Sequence, residues 1–421
     1  MIKLFSKRSG FFKNVTTLVT GTALAQLINI LSTPLLTRIY SPEEFAVFQL
    51  FYSTASIFAV VATLRYEVAI MAPEEEEEAL DLVSISFYSS FLIALISLLL
   101  VLFWKYRGDA PMQAAFNNWY FLLPLYIVFA GLLQSLNILS LRRKTFTRNL
   151  MSRVGSALIA AVSGILMGWK GWKPSGLLIG SVTGQFTGFL CLLKDVPDIL
   201  SRPLRRPTAM KKCLRLYKNY PVYNAPHALI DTFQDQGLVF FLNHYFVPAI
   251  VSYYGQAFRV LKAPIGFIGS ALYQVVFPKF TEMSRQNADM RPHVRKLYIR
   301  LAALGLPGFI LLWVYAESLF AWFFGKGWEE AGTIAGIMAP WLFLNFLASP
   351  VSCFALIRNK QRQAAIITIT EVILRFSAII AGGYYGSYIL GFTLLTLAGS
   401  LVMLYALVWY YRLAAPLRVS E

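Results

Sequence analysis

The stretch YYGQAFRVLKAPIGFIGSALYQVVFPK, residues 253–279, decides how the rest of the chain is read. It is apolar enough and long enough to cross a bilayer, yet it carries Arg259 and Lys262 one helical turn apart. A cation at mid-membrane costs about 2.5–3.5 kcal/mol on insertion scales. Two uncompensated charges would keep the segment out of the membrane. Arg259 and Lys262 are therefore expected to face a partner, a water-filled cavity or an anionic cargo.

Composition widens that reading to the whole chain. Of the 421 residues, 57% are hydrophobic and 14% are charged, whereas soluble domains sit at roughly 45–50% and 25%. The apolar residues come in runs long enough for transmembrane helices, which makes this an all-α, polytopic membrane protein. The net charge of +17 would suggest nucleic acid in a soluble protein. In a membrane protein it records the Lys/Arg excess of cytoplasmic loops, and no nucleic-acid partner is expected. Cys191, Cys213 and Cys353 form no CxxC pattern, so neither a disulfide framework nor a metal site is expected. Lys3, Lys7, Arg8 and Lys13 precede an apolar run, as in a signal peptide. That run is too long and too polar for one and lacks a small-residue cleavage site, so it reads as an uncleaved first span.

Spans are expected at 14–36, 45–66, 79–104, 119–141, 154–170, 174–193, 223–246, 251–278, 301–323, 331–356, 363–381 and 386–411, about twelve in all. With both termini cytoplasmic, only Arg38, Lys105, Arg107, Lys170, Lys173 and Lys326 fall outside, as the positive-inside rule asks. Dropping the polar seventh span would put the basic loops flanking it on opposite faces. The loop from Lys194 to Lys218 carries Pro197, Pro203 and Pro207 among Arg202, Arg205, Arg206, Lys211 and Lys212. It divides the chain into six-helix halves at 1–200 and 221–421, joined by a basic linker at 201–220. The outer loops are short, leaving no room for a soluble catalytic domain, and no GxxxxGK[ST] phosphate loop occurs. An enzyme is not expected.

Polar residues inside the spans mark candidate sites. Thr22, Gln26, Asn29, Thr33 and Thr37 share one face of the first span, and Gln49, Ser53, Ser56 and Thr63 repeat the pattern in the second. Such stripes either bond neighbouring helices or line a cavity. The seventh span sets Asn224, His227, Asp231, Gln234 and Asp235 along one face. Two carboxylates one turn apart need a proton, a cation or a bound ion, so this cluster is either charge compensation or a proton- or sodium-responsive site. Glu371 and Arg375 stand at i,i+4, the order that favours a helix ion pair, which can also gate. Arg65 and Glu67, two apart, would not face each other on a helix; Arg65 could then point into a cavity while Glu67 sits at the interface. Gly176, Gly180, Gly184 and Gly188 form an i,i+4 series suited to close helix packing. The run Glu74 to Glu78 reads as a solvated turn favouring the N-terminus of the third helix.

Three segments, PLLTRIYSPEEFAVFQLF at 34–51, LRYEVAIMAPEEEEEA at 64–79 and YYGQAFRVLKAPIGFIGSALYQVVFPKF at 253–280, resemble bacterial polysaccharide flippases. These are the Wzx-type O-antigen translocases of the multidrug/oligosaccharidyl-lipid/polysaccharide exporter superfamily. The resemblance implies a MATE-like fold of two six-helix lobes around a central cavity that opens alternately to either face of the bacterial inner membrane. It implies as cargo an undecaprenyl-pyrophosphate-linked oligosaccharide, with a polysaccharide polymerase and a chain-length regulator as candidate partners. Cationic cavity residues are expected, here Arg65 and Arg259, with Lys262 and Arg38 beside them, while Gln26, Asn29 and Gln49 would bond sugars. No cofactor is implied beyond proton or sodium coupling. Two other readings are a cation-coupled small-molecule exporter of the same superfamily, built on Asp231 and Asp235, and a membrane glycosyltransferase or polysaccharide polymerase.

Overall fold

The computed structural model describes residues 2–107, 117–193, 199–202 and 206–416, with the side chains of all of these except 2–19, 104, 107, 117 and 118. The side chains of Lys3, Lys7, Arg8 and Lys13, and all of Lys194, Pro197, Pro203 and Arg205, lie outside the described residues. Among the described residues there are helices and turns and no strand. Among the described residues eight helices are long and apolar enough to cross a membrane, and the chain is a multi-pass membrane protein.

The chain divides into two compact units, Met1–Gly237 and Leu238–Glu421. The first holds α1 (Ile2–Ile39), α2 (Pro42–Ala59), α3 (Tyr66–Ala69), α4 (Glu76–Arg107), α5 (Leu122–Arg142), α6 (Phe146–Trp169), α7 (Ser175–Leu190), α8 (Pro207–Leu216) and α9 (Ala225–Gln236). The second holds α10 (Leu238–Tyr245), α11 (Pro248–Arg285), α12 (Arg291–Phe324), α13 (Glu329–Ala348), α14 (Phe354–Ile357), α15 (Gln361–Tyr384) and α16 (Tyr388–Leu413). The basic linker and the segment after it therefore cluster with the first unit, because α8 packs on α4 and α9 packs on α2.

Each predicted span has a helix under it, but three of these, among the described residues, fall short of a full crossing stretch. Helix α2 is 18 residues long and opens on Pro42, Glu43 and Glu44. α7 is 16 residues long. The predicted seventh span is a π turn at Tyr220–Asn224 followed by α9 and α10. Pro221 and Pro226 lack the N–H that a regular ladder needs there, which accounts for the wide turn.

Local chemistry fixes the joints. Ser41 and Glu44 make a reciprocal capping box, Ser41 N donating to Glu44 Oε2 at 2.8 Å, with Pro42 in the first turn of α2. The predicted glycine series lies against α6. A Cβ on Gly180 would sit 2.9 Å from Ala160 O, and one on Gly184 would sit 2.8 Å from Ser156 O. We expect Gly180→Leu to wedge α6 from α7 and to cost about 1–3 kcal/mol, the usual price of overpacking. Thermal unfolding of the purified variant checks this, and an unchanged midpoint would contradict it.

In the second unit α13 packs against α11, α12 and α16, and α15 against α10 and α16. α11 and α12, of 38 and 34 residues, exceed the roughly 20 residues a hydrocarbon core requires. Phe280, Met290, Val294, Cys353 and Phe354 form a separate cluster where the two meet. Met290 N donates to Ala414 O at 3.0 Å, and Arg358 Nε donates to Leu413 O at 3.0 Å, so the end of α16 is capped from both sides.

Candidate functional site

In the first unit the strongest feature is a buried carboxylate. Helix α2 stops at Ala59, and the chain turns through Leu64 and Arg65, both left-handed at φ 49° and 65°. That conformation is uncommon outside glycine and is held here by side chains. Arg65 Nη1 lies 3.2 Å from Glu67 Oε1. Gln134 Nε2 donates to the same oxygen at 3.1 Å, and Thr63 Oγ1 donates to Oε2. Glu67 is 1% exposed, whereas a quarter of the Arg65 side chain is open. The expectation that Arg65 and Glu67 point apart is thus corrected. Residues two apart do not meet on a helix, but here the segment is a turn, and Glu67 is in the core rather than at an interface.

The first-span stripe is split in use. Gln26 and Asn29 are exposed, while Thr33 Oγ1 donates back to Asn29 O at 2.6 Å and Thr37 Oγ1 to Pro34 O at 3.2 Å. Thr22 accepts from Arg153 Nη1 at 3.3 Å, Arg153 Nε donates to Asn149 Oδ1 at 2.8 Å, and Asn149 Nδ2 donates to Asn137 Oδ1 at 2.9 Å. This chain joins α1, α6 and α5. Sequence reasoning missed it by leaving Arg153 in a loop; Asn149 and Arg153 at i,i+4 were the available signal. Gln49 Nε2 donates to Ser53 Oγ at 3.3 Å, which donates to Gln236 Oε1 at 2.9 Å, tying α2 to α9. Arg38 is exposed, and its Nη1 donates to Pro34 O at 2.9 Å.

On α9, His227 Nδ1 lies 3.2 Å from Asp231 Oδ2, and both side chains are largely open. Asp235 is half-buried one turn further on.

The acidic run is not simply a solvated turn. Arg142 and Arg143 reach Glu76 at 3.3 and 2.5 Å, and Arg142 also donates to the carbonyls of Ile70 and Glu74. Arg202 pairs with Asp81 and with Glu77, each at 2.9 Å, and Arg206 joins Glu77. Arg202 and Asp81 are both buried. Five carboxylates in sequence would repel one another, and arginines brought from distant segments relieve that repulsion. Cys213 packs in the same region with its thiol pushed up to about 11 by burial, so it is an unreactive packing residue.

In the second unit α11 shows three faces. Ala257, Leu261, Ile265 and Gly269 are buried. Val260, Phe267 and Val275 are exposed and apolar, as a lipid-facing stripe must be. The third face carries Arg259, Gly266, Ser270 and Gln274, all exposed, with half-buried Lys262 whose Nζ lies 4.9 Å from the centre of the Phe258 ring. The structure thus brings Arg259 and Lys262 onto one polar stripe, apart from the lipid face. Glu371 and Arg375 are both buried, and Trp341 stands against both. Its Nε1 donates to Glu371 Oε1 at 2.9 Å, and the Arg375 guanidinium lies 4.4 Å from its ring centre.

Comparison with known proteins fits this architecture. The profile of a family described as "Polysaccharide biosynthesis protein" matches residues 35–333. The "Succinoglycan biosynthesis transport protein ExoT" of Rhizobium meliloti (strain 1021) is 24% identical over 323 residues, covering 74% of this chain and 62% of that protein. The chain thus spans less than two thirds of that relative's length. Among solved structures, "Lipid II flippase MurJ, inward closed conformation" superposes with a TM-score of 0.66 at 17% identity, covering 93% of this chain and 87% of the other. An inward-facing multidrug resistance MATE family transporter of the MOP superfamily gives 0.61 at 13%, covering 92% and 93%. The fold is therefore that of MurJ and the MATE transporters.

Proposed function

We propose that this chain, which belongs to the polysaccharide biosynthesis protein family, is a flippase for a lipid-linked glycan. Its cargo is an undecaprenyl-pyrophosphate-linked oligosaccharide, an O-antigen or related repeat unit, moved by alternating access from the cytoplasmic to the outer leaflet of the bacterial inner membrane. Both termini are cytoplasmic. The observation that carries the reading is the polar stripe of α11, where Arg259 and Lys262 lie apart from the lipid face on a membrane-crossing helix. A diphosphate cannot cross hydrocarbon unpaired. Cations and hydroxyls on a continuous stripe supply charge-assisted bonds to the head group and neutral ones to sugars. Arg65, partly open, and Gln26 and Asn29, exposed, are the corresponding contacts proposed in the first unit. The names of the ExoT relative and of the MurJ structure support a glycan-lipid cargo. His227, Asp231 and Asp235, together with Glu371 and Arg375, are the groups proposed for proton or sodium coupling. A polymerase and a chain-length regulator are the proposed partners.

Depletion in the native cell tests the proposal. Lipid-linked oligosaccharide is expected to accumulate on the cytoplasmic leaflet while surface glycan is lost; undiminished surface glycan would contradict it.

A further inference from the structure

We infer that the linker helix α8 is a peripheral anchor that binds the anionic phospholipid surface of the membrane. Three observations converge. First, the linker is pinned at the level of the first turns of α4. Arg202 pairs with Glu77 and Asp81, Ser84 Oγ donates to Ile199 O at 2.6 Å, and Tyr88 OH donates to Leu200 O at 2.9 Å. Cys213 packs with Ala79, Leu80 and Val83, and Met210 and Tyr217 lie against the same cluster. Since α4 is a crossing helix beginning at Glu76, α8 lies where a bilayer's head groups begin.

Second, the side of α8 turned away from α4 is basic. Lys211, Lys212 and Arg215 are exposed on it, and Lys218 continues the series. The neighbouring acids are engaged elsewhere, Glu77 and Asp81 with Arg202 and Arg206, and Glu78 with Tyr217. Third, the basic residues are flanked by exposed apolar ones: Leu214 at 42% and Leu216 at 59%, then Val222 and Tyr223 in the following turn. Cations bordered by apolar side chains at head-group depth are the pattern of an interfacial helix on an anionic membrane. Charge complementarity selects that occupant over a zwitterionic surface. The inference goes beyond transport and does not depend on which cargo is carried.

The test is hydrogen exchange of full-length protein in nanodiscs of phosphatidylcholine alone or with phosphatidylglycerol. The anionic lipid is expected to slow exchange across 207–223 several-fold. The effect should fade as salt is raised, because screening acts over about 10 Å at 0.1 M. A K211Q/K212Q/R215Q/K218Q variant, which spares the docking side of α8, is expected to lose this slowing. Equal wild-type exchange in the two lipids would overturn the inference whether or not the variant folds. So would a variant that responds as the wild type does. Inorganic pyrophosphate that gives the same protection in phosphatidylcholine alone would assign the cluster to a soluble diphosphate and also overturn it. Phosphatidylglycerol occupies both leaflets of the disc, so the result is independent of topology and of the flippase reading.

Discussion

Arg259→Ala is expected to slow glycan translocation roughly ten- to a hundredfold while leaving membrane insertion intact. The guanidinium is exposed on the polar stripe of α11, so its removal opens no cavity in the packed face formed by Leu261, Ile265 and Gly269. What is lost is a fixed cation. A hydrogen bond to a charged group is worth about 1.5–3 kcal/mol, which is roughly ten- to a hundredfold in a rate that depends on it. Arg259→Lys keeps the charge and loses the planar fork that suits a diphosphate, so it should retain part of the activity. Surface polysaccharide measured against membrane abundance checks both variants. Wild-type glycan in the alanine variant at normal abundance would remove Arg259 from the cargo path.

Glu67→Ala is expected to be the most destabilising single change in the first unit. The carboxylate is 1% exposed and accepts from Thr63 and Gln134 while pairing with Arg65 at 3.2 Å. Its loss strands two neutral donors and a cation at the same spot and releases the left-handed turn at Leu64 and Arg65. Breaking a buried pair by deleting one partner typically costs about 3–5 kcal/mol. Glu67→Gln keeps the volume and one acceptor and should cost less. Unfolding midpoints of the two purified variants check the order; an alanine variant as stable as the wild type would show that the network carries no stability.

Much of this fold is readable from local sequence because a membrane helix is specified by a continuous run of residues. Residues 253–279 lie within a single helix, and the series Gly176 to Gly188 lies where its spacing places it, against α6. Features set by long-range pairing were hidden. Nothing near Glu74–Glu78 announces that Arg142, Arg202 and Arg206 will arrive from 66 to 129 residues away. The left-handed turn at Leu64 and Arg65 has no glycine or asparagine to mark it, so a helix was extended through it and Glu67 was misplaced. Glu371 and Arg375 are legible as a pair, but Trp341, which touches both, comes from another helix. Arg153 was hidden by the opposite error, a helix begun too late. Where side chains at i,i+4 act within one helix, sequence suffices; where charge is matched across helices, it does not.

The most direct measurement of the central claim is transport by the purified protein. Proteoliposomes loaded on one leaflet with an undecaprenyl-pyrophosphate-linked oligosaccharide are probed with a membrane-impermeant sugar-modifying reagent. Wild-type protein is expected to expose the oligosaccharide on the other leaflet, and the Arg259→Ala protein, equally well inserted, is expected to do so roughly ten- to a hundredfold more slowly. Oligosaccharide that stays on its original leaflet in the presence of folded, fully inserted wild-type protein would contradict the account.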